Sequence, residues 1–187
     1  MTIEQVTLIA AIIAALASLI TLILNFFASR ASEFRAAHRE ILKPHLHDLS
    51  QALYSTIATT KILSEAKTEP AIENWRERAN DAKSQLKDLR IRLRYPLWGI
   101  TDSMNTLSRI PDWIEHARPL PSKHSSALFK RGRSLGIYLD GAIRNSYAKG
   151  RPPTWVDRAR VAFAKWRLER TYKGMKSGRK SIKDMAA

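Results

Sequence analysis

The sequence predicts an all-α protein: one N-terminal transmembrane helix continuing into a small cytoplasmic helical bundle, with a disordered basic tail at the C-terminus. Three observations carry that expectation. Residues 6–28 hold no charged side chain. Beyond them, apolar residues recur three and four apart, the period of a helix buried on one face. The third observation is the distribution of charge. The formal net charge is +15, yet residues 45–116 carry ten Lys/Arg against ten Asp/Glu, and residues 117–187 carry eighteen against four.

The 23 residues of the uncharged stretch form a helix of roughly 35 Å, enough for a hydrocarbon core of about 30 Å with some tilt. A cleavable signal peptide has a basic start and a shorter apolar core. This chain opens Met-Thr-Ile-Glu-Gln and has no Lys or Arg before Arg30. A helix lying on the membrane surface needs a charged face, which this segment lacks. Glu4 precedes the span, whereas Arg30, Arg35, Arg39 and Lys43 follow it. The basic flank stays inside, so the expectation is an inner-membrane protein with its N-terminus outside and its remainder cytoplasmic.

Within the span, Thr7, Ala11, Ala14, Ser18, Thr21 and Asn25 recur at alternating spacings of four and three, and every polar side chain of the segment falls on that seam. Small residues let helices approach closely, and hydroxyl or amide groups bond across the contact. A mean spacing near 3.5 also suits a left-handed supercoil. The seam therefore predicts a homo-oligomer, and its polar lining admits a pore. The competing reading has Ser and Thr bonding their own helix's carbonyls.

Residues 30–43 contain no Gly or Pro and continue the membrane helix until Pro44. Leu46, Leu49, Leu53 and Ile57 then share one face. After a break near Pro70, Ile72, Trp75, Ala79, Ala82, Leu86, Leu89 and Leu93 form a stripe suited to core or subunit contacts, ended by Tyr95-Pro96. A shorter helix is expected over 100–117. Residues 126–148, with Gly132, Gly136 and Gly141, predict one interrupted helix, with a hairpin turning at 131–133 as the competing reading. Pro152-Pro153-Thr154 opens the last helix, to about Lys173, with Thr154 as its cap. That helix carries two apolar stripes: Trp155, Ala159, Ala162, Phe163 and Trp166, and opposite them Val161, Ala164, Leu168 and Tyr172. It is either fully buried or packed between its own core and a second surface, a neighbouring subunit or the membrane interface. The division is thus an anchor over 1–29, a juxtamembrane helix over 30–43, a basic helical domain over 44–173 and a tail over 174–187 with little to bury.

Chemistry is sparse. No glycine precedes Gly99, and no later spacing matches a phosphate-binding loop. Cysteine is absent, which removes disulfides and thiolate zinc sites. His45 and His47 would point about 200° apart on a helix, so they do not share an ion. No metal, cofactor or catalytic set is expected. The Arg-x4–6-His pattern of HEPN-class RNases occurs at Arg39/His45, Arg109/His116 and Arg118/His124, a frequency close to what this Arg content produces by chance. Trp155, Trp166, Tyr147 and Tyr172 have the rings to stack bases, but their helical spacing reads as core.

The leading expectation is a non-enzymatic, self-associating membrane protein whose basic domain binds a polyanion, either anionic lipid or nucleic acid. Arg131, Arg133, Arg144, Lys149, Arg151, Arg158, Arg160, Lys165 and Arg167 are the candidate contacts. Contacts of this kind go to phosphate, are indifferent to base sequence and depend steeply on salt. Two alternatives stand beside it. One is an oligomeric pore-forming effector; the layout of one membrane helix on a small basic body is similar to that of several small bacterial defence effectors, in layout and not in any residue motif. The other is a membrane-tethered RNase.

Overall fold

The computed structural model describes residues 3–66, 68–117 and 122–184, and these are helical with no strand among them. Helix α1, Ile3–Leu42, has no Pro or Gly to interrupt it. Pro44 then removes a backbone donor, and the chain tightens into a single 3-10 turn at Lys43–His45 before α2, Leu46–Glu65. Leu42, His45 and Leu46 all keep right-handed helical dihedrals, so α1 passes into α2 through a tight turn rather than a loop.

Residue Pro70 stands in the first turn of α3, Glu69–Arg92. This helix returns antiparallel along α2: its C-terminal Leu89 and Arg92 line one hollow with Asp48, and its N-terminal Trp75 lines another with Ile62. The stripe expected over 72–93 faces inward, with Ile72, Ala79, Ala82, Leu86, Leu89 and Leu93 buried. It is spent on the protein's own core. A run of turns then buries Leu97 and Ile100 and leads into α4, Thr101–Ser108, and α5, Ile110–Ala117.

The single helix expected over 100–117 is therefore two. Pro111 has no N–H to bond the Leu107 carbonyl, and its ring crowds that group, so the chain re-starts at Ile110. Arg76 pairs with Glu115 at 2.8 Å and Lys83 with Asp112 at 2.6 Å, and these pairs tie α5 to α3.

Helix α6, Ser122–Lys149, is continuous, which removes both the interruption and the hairpin expected around its glycines. Gly132 and Gly136 instead leave room for the side chains of Ile110 and Ile57, so they set how closely α5 and α2 approach. Contacts along α6 run against the direction of the preceding helices. Gly136 meets Ile57, Asp140 accepts a hydrogen bond from Ser50 at 2.7 Å, Ser146 meets His38, and Gly150 meets Arg35.

Helix α7, Trp155–Asp184, turns back along α6. It continues past Lys173, where the sequence reading placed the start of a disordered tail. Met175 explains part of that extension: it follows Val161, Leu168 and Tyr172 at helical spacing and is buried in the core. Residues 185–187 of the expected tail lie outside the described residues.

One core joins α2 to α7, with Leu49, Leu53, Leu86, Met104, Leu107, Ile114, Leu128, Leu135, Leu139 and Leu168 almost fully buried. Burial of each such side chain contributes about 1.5–3 kcal/mol. The apolar part of α1 takes no part in it. All described residues over 11–37 are exposed, and this stretch alone among the described residues is long and apolar enough to cross a membrane.

Candidate functional site

The site grows from the turn between α6 and α7. Gly150 takes φ +61°, the left-handed conformation that ends many helices, and donates its N–H to Tyr147 O at 3.0 Å. Arg151 N–H reaches back to Ser146 O at 3.1 Å, which completes a Schellman motif. A side chain at position 150 would collide with the backbone of Arg35 on α1. From α1, Arg39 donates to Tyr147 O at 3.3 Å and Ala148 O at 2.9 Å, placing a cation on the last carbonyls of α6. His38 is buried beside it, with Nε2 2.9 Å from Ser146 Oγ.

Across the turn, Pro152 and Pro153 hold the backbone out of helix until Thr154 caps α7. Thr154 Oγ1 accepts from Asp157 N–H at 3.3 Å, and Asp157 Oδ2 accepts from Thr154 N–H at 3.2 Å and from its hydroxyl at 2.6 Å. This is a reciprocal capping box with Asp in place of the usual Glu. Asn145 Nδ2 adds a bond to Asp157 Oδ1 at 3.2 Å. Burial pushes the Asp157 carboxyl up, but the bonds from Thr154 and Asn145 and the charge of Lys149 outweigh it, and the net shift is downward. Asp157 is only 7% exposed.

Around this turn opens a cleft of about 790 Å³ lined by Trp98, Lys149, Arg151, Trp155, Arg158 and Arg160, together with the two prolines, Asn145 and Thr154. Four of its residues are cationic, and its one acid, Asp157, is engaged by the cap. Arg158 is held in place: Nε donates to Pro153 O at 3.0 Å, and the guanidinium lies 4.6 Å from the centre of the Trp98 ring. Gly99, at φ +88°, leaves space for the aliphatic stem of Arg158 to pass. Trp98 and Trp155 remain 61% and 76% exposed.

Of the nine basic residues expected to contact an anion, Lys149, Arg151, Arg158 and Arg160 thus come together. The other five do not join them. Arg144 pairs with Asp140 at 2.7 Å, Lys165 lies 3.9 Å from Glu169, and Arg167 stacks over Phe163. Arg131 and Arg133 flank Gly132, where α6 meets α5. Trp98 escaped the sequence reading because it sits among turns, where no periodicity marks it.

Helix α7 resolves its two stripes. Val161, Ala164 and Leu168 enter the core, and Tyr172 stacks on Trp113 with ring centres 4.4 Å apart. Trp155, Ala159, Ala162, Phe163 and Trp166 are all exposed. The reading of Trp155 and Trp166 as core is therefore overturned: α7 reaches the core with one face only, and the opposite face carries these rings. Tyr147 and Tyr172 pack against the core as expected.

On α1, Ala11, Ala14, Ser18, Thr21 and Asn25 are exposed, and the side chain of Thr7 lies outside the described residues. Ser18 and Thr21 hydroxyls donate to Ala14 O and Ala17 O within the same helix, at 2.9 and 2.8 Å. Of the Arg/His pairs, Arg39 is committed to the end of α6, and His116 Nδ1 bonds Asp112 O at 2.6 Å. Arg118 lies outside the described residues, so its pairing with His124 does too. No cluster of three metal-ligating side chains occurs among the described residues. Comparison of the chain with protein-family models, curated proteins and solved structures finds no match.

Proposed function

We propose that this is a single-pass membrane protein, held by α1 with its N-terminus outside, whose cytoplasmic helical domain binds a polyanion through the cleft at the α6–α7 turn. The observation that carries the reading is the convergence of Lys149, Arg151, Arg158 and Arg160 beside two exposed tryptophans, with the cleft's one acid taken up by the cap. A cluster of this kind holds phosphate or sulfate groups by charge-assisted hydrogen bonds. The test is binding of fluorescent heparin to the full-length protein in phosphatidylcholine nanodiscs. Lys149→Glu/Arg151→Glu/Arg160→Glu weakens it roughly tenfold or more and flattens its dependence on salt. Unchanged affinity refutes the site. For the topology, a chain without native Cys permits single-Cys labelling: Thr2→Cys reacts with an impermeant maleimide in intact cells, and a Cys at Ala187 does not.

A second reading concerns assembly. The exposed seam of Ala11, Ala14, Ser18, Thr21 and Asn25 supports self-association through Asn25, whose amide stands among apolar side chains while Ser18 and Thr21 bond their own helix. Light scattering of detergent-solubilised protein distinguishes a tether from an oligomer. A discrete oligomer that dissociates on Ser18→Leu/Asn25→Leu supports assembly and makes the pore-forming alternative worth testing by membrane-potential recording. A monomer in both proteins leaves a simple tether.

A further inference from the structure

We propose that the α6–α7 cleft seats the phosphate headgroups of anionic phospholipids in the same membrane that α1 enters. This rests on the reading above and adds the occupant.

Position is the first argument. Gly150 packs on the backbone of Arg35, and Arg39 caps the same helix end, so the cleft is built on the part of the domain that touches α1 beside its apolar stretch. Arg35 lies seven residues beyond Ala28, roughly 10 Å of helix rise. Headgroups fill roughly the first 5–7 Å outside the hydrocarbon. The turn thus stands at the outer margin of the headgroup layer, within one Debye length of about 8 Å, where basic side chains are drawn to anionic lipid.

Composition is the second argument. Trp98 and Trp155 stand exposed among the cations, and Trp with Arg is the pairing that suits the boundary between membrane and water. The cleft's positive charge comes from side chains, since the α7 terminus itself is already closed by Thr154 and Asp157.

A base-stacking platform needs open ring faces. Of the two rings in the cleft, Trp98 already has the Arg158 guanidinium over one face. Trp155 keeps an open ring, so what favours a lipid phosphodiester over nucleic acid is the place of the four cations beside the apolar stretch of α1.

The experiment uses the full-length protein in nanodiscs of mixed phosphatidylcholine and phosphatidylglycerol, with retained lipid counted by native mass spectrometry. Wild type is compared with Arg151→Glu/Arg160→Glu and with Arg131→Glu/Arg133→Glu, which makes the same change in net charge away from the cleft. In parallel, binding of a short fluorescent RNA is measured in pure phosphatidylcholine discs. Phosphatidylglycerol retention is expected to fall about tenfold in the cleft variant and to stay at wild-type level in the distal one. Equal loss in both variants reduces the effect to net charge and overturns the proposal. Unchanged retention with RNA binding lost overturns the lipid assignment while leaving an anion site. If neither ligand responds to the cleft charges, both readings fall. Arg151 and Arg160 are exposed, and Arg151→Gln/Arg160→Gln repeats the comparison with the milder neutral change.

Discussion

His38 on α1, beyond its apolar stretch, and Ser146 near the end of α6 share a buried hydrogen bond of 2.9 Å, 108 positions apart in the chain. The Ser146 hydroxyl donates onward to Arg151 O at 2.7 Å, so its oxygen accepts from His38, which assigns the proton to Nε2. One imidazole therefore links α1, α6 and the turn that carries the cleft.

Burial lowers the His38 pKa, which favours the neutral ring in the fold. The unfolded chain then takes up the proton first as pH falls. The stability due to His38 is present above the ordinary histidine value of about 6.5 and is lost as pH drops from there toward the lower folded value. Thermal unfolding followed from neutral to mildly acidic pH should show Tm falling in that window. His38→Gln should flatten the slope. An unchanged slope refutes the assignment.

Asp157 should act at a lower pH. Its folded pKa is lowered, so its contribution is present above the ordinary carboxylate range and disappears as pH falls through the folded value. Asp157→Ala removes the cap acceptor and should cost about 1–2 kcal/mol at neutral pH. Chemical denaturation at neutral pH and near pH 3 checks both parts: the deficit should shrink in acid.

Two glycines of the same region should respond in opposite directions. Gly150→Ala places a Cβ at positive φ against the backbone of Arg35 and should destabilise by about 1–3 kcal/mol. Gly141 is helical and exposed with open space around it, so Gly141→Ala should stabilise by about 0.5–1 kcal/mol. Denaturant midpoints of the two variants decide the matter.

The two faces of α7 should differ as sharply. Leu168→Ala empties a fully buried site and should cost about 2–5 kcal/mol. Phe163→Ala on the exposed face should change stability by less than about 1 kcal/mol. A large loss at Phe163 would mean that its face is covered in the assembled protein.

How much was legible in the sequence depends on the range of the interaction. The uncharged run over 6–28, the stripe over 72–93, the breaks at Pro44 and Pro70 and the Thr154 cap are local patterns, and local sterics and periodicity determine them. A charge count over 117–187 located the basic half but treated its nine candidates as equivalent. Arg144 with Asp140 is an i, i+4 pair set by spacing along one helix, but only tertiary structure brought Arg158 against Trp98 and Gly99 of a turn distant in the chain. The same holds for the two stripes of α7, equally apolar on the helical wheel. Which one became core was set by where α6, α5 and α4 present their own apolar faces, and a single helix carries no information about that.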